Sequence, residues 1–193
     1  MDQWKIAVLG DSGVGKTALA VQFTMNCSYE PTIEEEEAYR KQLLVDNKMC
    51  FVEVIDTAGH EEDLTLRDQL IRESQGFILV YSIAARTSFD RVETFRQNML
   101  RIKRGKPIFM LVGNKADKGY EREVSKEDGM ALARTLGCEF LETSSKTAQN
   151  VDKVFQDLVR QLRMARPAEK PAARANIQTG ARPGGRRRGC IIC

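Results

Sequence analysis

Gly10-Asp11-Ser12-Gly13-Val14-Gly15-Lys16-Thr17 follows the apolar run Trp4-Lys5-Ile6-Ala7-Val8-Leu9, and beyond it Ala18, Leu19 and Phe23 recur at helical spacing. The order is strand, glycine loop, helix. Glycines at this spacing let the backbone wrap closely round a phosphate, with amide N–H groups and the helix start facing the negative charge. Lys16 would add a point charge between β- and γ-phosphates, and the Thr17 hydroxyl suits Mg²⁺. A glycine turn with no ligand is the alternative, but Gly-x4-Gly-Lys-Thr directly after a strand is a specific signal.

Outward from this loop, Phe51 to Ile55, Phe77 to Tyr81 and Ile108 to Val112 are short apolar runs bounded by polar or glycine-containing segments. They are predicted to be strands buried on both faces of a parallel sheet. Between them lie helical patterns. One starts at Asn150 and places Val151, Val154, Phe155, Leu158 and Leu162 on one stripe; another starts at a capping box from Ser125 to Asp128 and stops near Gly137. Strands alternating with helices predict an α/β fold with right-handed crossovers and helices on both faces of the sheet. Ligands in such folds sit beyond the carboxyl ends of the strands.

At 193 residues and 42% hydrophobic, the chain can bury one substantial core, so a single domain over residues 1–165 is expected. Five scattered cysteines (Cys27, Cys50, Cys138, Cys190 and Cys193) and the absence of a signal-peptide pattern at Met1-Asp2-Gln3-Trp4-Lys5 point to a reducing, cytosolic compartment. No apolar run reaches the roughly 18 residues of a membrane span.

The net charge of +3 is uneven, because residues 166–193 carry seven basic side chains against Glu169 alone. Positive charge gathered at one end favours an anionic membrane surface over nucleic acid as partner. With its prolines, glycines and arginines, this stretch cannot bury enough surface to offset ordering entropy and reads as a flexible basic tail.

Two further motifs define the ligand. Asp56-Thr57-Ala58-Gly59 ends a predicted strand, so the Asp56 carboxylate would arrive near Mg²⁺ and hold it directly or through water. Gly59 would let a backbone N–H approach the γ-phosphate and make the following loop sensitive to its presence. Asn114-Lys115-Ala116-Asp117 follows another strand, and a carboxylate at Asp117 can accept from N1–H and the exocyclic amine of guanine. Adenine lacks those donors on that edge, so such a site can discriminate by about 10⁴ or more. A P-loop ATPase or small-molecule kinase conflicts with Asp117.

On these motifs the chain resembles the Ras-like small GTPases over residues 4–165, closest to the Ras branch through Arg40-Lys41-Gln42 and Arg67-Asp68-Gln69. Its Asp11-Ser12 pair looks like the Rab branch. The resemblance implies a P-loop NTPase G domain with a mostly parallel six-stranded sheet, binding GTP or GDP with Mg²⁺ and hydrolysing GTP. It implies that Thr143-Ser144-Ser145-Lys146 is the last base-contacting loop, with the Ser145 backbone near the guanine oxygen and Lys146 alongside. It also implies that Thr32, in Pro31-Thr32-Ile33-Glu34, completes Mg²⁺ coordination when GTP is bound. Lys16, Thr32, Gly59 and His60 are then the catalytic set, and effectors, an exchange factor and a GTPase-activating protein are the expected partners of a monomer.

Three departures stand out. His60 occupies the position where the family carries the glutamine that orients the attacking water. An amide can accept and donate at once, whereas imidazole separates the two functions across a rigid ring, so slow hydrolysis is expected. Cys27-Ser28-Tyr29-Glu30-Pro31 is about three residues shorter than the Ras pattern and lacks an obvious counterpart of the aromatic that covers the guanine face, which predicts rapid nucleotide exchange unless Tyr29 compensates. Glu34-Glu35-Glu36-Glu37 before Ala38-Tyr39 lengthens the effector segment, residues 29–39, by roughly two residues. Those charges are either a solvated stretch or a lure for a basic effector surface.

Cys190-Ile191-Ile192-Cys193 has the form of a prenylation box with Cys190 as lipid acceptor, and Arg186-Arg187-Arg188 would supply the second membrane signal that one lipid needs. A metal-binding or redox CxxC is the competing reading. The expectation is a switch at the cytoplasmic face of a membrane, the plasma membrane before others. The alternatives are a constitutively GTP-bound binding module with negligible hydrolysis, and a Rab-like trafficking GTPase.

Overall fold

The computed structural model describes residues 1–25, 39–57 and 64–166. In chain order the elements are β1 (Asp2–Gly10), α1 (Lys16–Met25), β2 (Tyr39–Val45), β3 (Lys48–Asp56), α2 (Leu64–Glu73), β4 (Gly76–Ser82), α3 (Arg86–Asp90) and α4 (Val92–Ile102). They continue with β5 (Ile108–Asn114), a 3₁₀ turn (Gly119–Glu121), α5 (Lys126–Leu136), β6 (Glu139–Glu142) and α6 (Val151–Ala165).

The six strands form one sheet in the order β2-β3-β1-β4-β5-β6, parallel except where β2 runs against β3. The four predicted strands are its central members. β1 shows why apolar runs mark them: Ile6 and Val8 join one core, Ala7 and Leu9 the other, so successive residues bury opposite faces. Under α1 and α6 the first core packs Leu19, Phe23, Val154, Phe155 and Leu158 against the sheet. Phe23 and Phe155 stack there with centroids 3.7 Å apart. The second core takes Ile71 of α2, Met99 of α4 and Ala133 of α5.

The edge strands β2 (YRKQLLV) and β6 (EFLE) break their apolar residues with Arg40, Lys41 and Gln42 in the first and Glu139 and Glu142 in the second, so the apolar-run reading passes over both. β2 and β3 are joined by a two-residue turn at Asp46 and Asn47, whose φ values of 51° and 58° are the left-handed pair that matches strand twist.

The signals for α5 hold at both ends. Ser125 Oγ accepts from the Asp128 N–H at 3.0 Å, and Gly137 closes the helix at φ 70°. The reciprocal half of the capping box does not form, because the Asp128 carboxylate pairs with Arg86 at 3.0 Å. At α6 the start also differs from a side-chain cap: Asn150 takes φ 57° and its Nδ2 donates to the Glu142 carbonyl at 2.8 Å.

Candidate nucleotide site

Three loops meet at the carboxyl ends of β1, β3 and β5. The first, from Gly10 to Gly15, depends on glycine for two different reasons. Gly13 and Gly15 take φ values of 73° and 98°, which side chains rarely adopt. At Gly10 the constraint is space, since a Cβ there would lie 2.3 Å from the Val80 carbonyl oxygen of the adjoining strand. Lys16 is buried at the start of α1, and its ammonium donates to the carbonyls of Gly10 and Asp11, each at 2.9 Å. The loop thus curls round the lysine's charge.

Register brings the second loop alongside. Val8 pairs with Asp56, so the end of β3 lies next to the end of β1, and the Thr17 hydroxyl donates to Asp56 Oδ2. Two oxygens from different elements therefore converge at one point. Hard divalent cations favour such donors, so Thr17 and Asp56 fit the Mg²⁺ expected of them. The Thr57 hydroxyl turns inward and donates to the Val8 carbonyl at 2.7 Å, which fixes the exit of β3.

Asn114 organises the third loop. It is 1% exposed; its Nδ2 donates to the Val14 carbonyl at 3.0 Å, while its Oδ1 accepts from Thr143 Oγ1 at 3.1 Å and Ser145 Oγ at 3.3 Å. One amide thereby ties the phosphate-loop sequence to both segments expected to hold the base. Lys115, at φ 64°, reaches the Gly13 carbonyl with its ammonium. Burial, helped by nearby Lys118, lowers the Lys115 pKa below its ordinary value, with Asp117 and Glu121 pulling the other way.

Asp117 stands at the surface, anchored through one oxygen by the Ser144 hydroxyl at 2.6 Å. Its other oxygen is unengaged among the described residues. Ala116 N–H to the Thr143 carbonyl and Thr143 N–H to the Gly113 carbonyl, both 2.9 Å, hold the two base loops side by side. Lys146 is exposed next to them.

Among the expected site residues, Gly10 to Thr17, Asp56, Thr57, Asn114, Lys115 and Asp117 lie at these three strand ends, and Ser144 to Lys146 lie on a fourth loop, after β6, bonded to the third. Ala58, Gly59, His60, Thr32, the segment from Tyr29 to Ala38, and Cys190 lie outside the described residues. Tyr39 opens β2 and packs against the first core. Arg91, from the junction of α3 and α4, was not foreseen: its guanidinium reaches Asp11 Oδ1 at 2.6 Å, and no local pattern links positions 80 residues apart.

The Ras family model matches residues 5–164 of this chain. Ras-like protein 1 of Pyricularia oryzae is 48% identical, with 91% of this chain and 81% of that protein covered. For Protein ras-2 of Neurospora crassa the values are 47%, 92% and 86%, and for Ras-like protein B of Aspergillus fumigatus 45%, 88% and 82%. With a family match along the described domain and relatives near half identity over most of their length, the chain belongs to the Ras family and is a guanine-nucleotide-binding small GTPase.

Proposed function

We propose that this GTPase is a membrane-anchored signalling switch whose hydrolytic step is slow. The observation that carries the reading of the site is the junction at Asn114 and Lys115, where side chains of the base loop bind carbonyls of the phosphate loop. In this reading the loop from Gly10 to Gly15 and Lys16 hold the β- and γ-phosphates, and Asp117 with Ser145 and Lys146 hold guanine. Thr17 and Asp56, joined by Thr32 in the GTP state, hold Mg²⁺. The ion neutralises phosphate charge, while the protein's own part is positioning and electrostatic stabilisation.

His60 is the reason for slow turnover, since its ring cannot accept from the attacking water and donate to the γ-phosphate through one group. Single-turnover GTP hydrolysis of wild type and His60→Gln, with and without a Ras-type activating protein, tests this. The glutamine variant is expected to gain about tenfold or more. Equal, fast rates for both proteins would sink the idea. The shortened segment after Asn26 complements it, with GDP leaving faster than from an ordinary family member, as labelled GDP would show.

Slow hydrolysis with fast exchange leads to a second reading: a binding module that rests in the GTP state. The ratio of GTP to GDP on protein taken from its native cell separates it from a timed switch. Membrane attachment rests on Cys190 as lipid acceptor and on Arg186-Arg187-Arg188 as its basic companion. A Cys190→Ser variant that still sedimented with membranes would remove that part of the proposal. Effectors of other Ras proteins are not assigned to this chain, because the longer acidic segment from Glu34 to Glu37 alters the surface they would meet.

A further inference from the structure

Asp11 puts a negative charge inside a loop read as binding phosphates. Its side chain is 19% exposed, its Oδ1 accepts from the Ser12 N–H at 2.9 Å, and its carbonyl accepts from the Lys16 ammonium at 2.9 Å. The carboxylate is therefore held in place next to the group that meets the nucleotide. Left alone, it would repel phosphate oxygens at short range.

Arg91 supplies the opposite charge. Its Nη1 contacts Asp11 Oδ1 at 2.6 Å, the same oxygen that takes the Ser12 N–H. Its backbone N–H is fixed by the Thr87 carbonyl at 3.2 Å, and its guanidinium lies over the Phe95 ring at 5.8 Å. The other charged groups on this cleft are otherwise engaged: Lys118 pairs with Glu121 at 2.9 Å and Lys115 binds Gly13.

We propose that Arg91 is a positioning residue for nucleotide binding, which neutralises Asp11 and holds the phosphate loop in its binding shape. Arg91 does not touch the ligand in this account; it acts through Asp11. The role rests on the assignment of residues 10–17 as the phosphate loop, and it goes beyond the family's base, phosphate and metal contacts.

The test is dissociation of labelled GDP and of a labelled, non-hydrolysable GTP analogue from the full chain as wild type, R91A, R91K, D11N and R91A/D11N. An exposed ion pair of this kind corresponds to about a two- to fivefold effect. R91A is expected to release nucleotide faster by that factor, more for the GTP analogue than for GDP, with the difference shrinking as salt rises to about 0.5 M. R91K should retain most of the wild-type behaviour, and D11N should rescue R91A, because removing the carboxylate removes the need for its counter-charge. A wild-type release rate in R91A, or a defect that persists unchanged in R91A/D11N, overturns the proposal, since packing on Phe95 or capping the helix would not respond to Asp11. Failure of wild type to retain labelled GDP at all would overturn the phosphate-loop assignment together with it.

Discussion

Asn114 Nδ2 donates to the Val14 carbonyl at 3.0 Å, a hydrogen bond that spans 100 residues and joins the end of β5 to the loop after β1. The same side chain accepts from Thr143 and Ser145, so truncation removes three hydrogen bonds from a buried cluster. Asn114→Ala is expected to cost about 1–3 kcal/mol of stability and to speed nucleotide release. Chemical denaturation together with labelled-GDP dissociation checks both, and an unchanged release rate would mean the two loops do not depend on this link.

Gly15 is constrained twice. Its φ of 98° suits glycine, and an added Cβ would lie 2.5 Å from Asn114 Nδ2. Gly15→Ala is therefore expected to displace Asn114 and weaken nucleotide binding, whereas Gly105→Ala, at φ 101° with nothing within 4 Å, should affect stability alone. Parallel titrations of the two variants with labelled GDP separate local strain from the collision at Asn114. Equal affinities would count against it.

Tyr81 is fully buried in β4 and its hydroxyl has no hydrogen-bond partner among the described residues. The ring fits because Gly113 and Gly129 lack side chains, whose Cβ atoms would lie 2.8 and 2.5 Å from the hydroxyl oxygen. Burial, then the Glu142 carboxylate, pushes its pKa far above the ordinary value, with Arg122 opposing. Tyr81→Phe removes an unpaired polar group, so it should be neutral to stabilising, by up to about 1 kcal/mol, at pH 7. In the folded state the phenol keeps its proton where the unfolded chain, at about pH 10, begins to lose it. Wild type should then lose stability relative to the phenylalanine variant as pH rises above about 10. Denaturation curves at pH 7 and near pH 11 test the sign, and a gap that did not change with pH would refute the assignment.

Arg163 of α6 binds the ends of the first three strands. It donates to the Val45 carbonyl at 2.7 Å, the Lys48 carbonyl at 3.0 Å and Asp2 Oδ2 at 3.0 Å, and its side chain is 17% exposed. Arg163→Ala is expected to destabilise the fold by about 1.5–3 kcal/mol. Arg163→Lys should recover only part of that loss, because an ammonium cannot reproduce the planar fork. Thermal unfolding of the GDP-bound variants decides it; a full rescue by lysine would show that charge alone suffices.

Local chemistry accounts for what was legible in the chain by itself. Residues 2–17 already display strand, glycine turn and helix, because apolar periodicity and left-handed glycines are properties of neighbours. The same holds for the central strands, for the Ser125 and Gly137 ends of α5, and for the apolar stripe of α6. The edge strands β2 and β6 show a weaker pattern, since Arg40, Lys41 and Gln42 in one and Glu139 and Glu142 in the other leave no continuous apolar run. Tertiary structure alone decided that Asn114 joins three loops, that Asp128 serves Arg86 in place of its own helix cap, and that Arg91 neutralises Asp11. These pairs lie 29 to 100 residues apart, and their partners are selected by strand register and crossover geometry, which no window of the sequence contains.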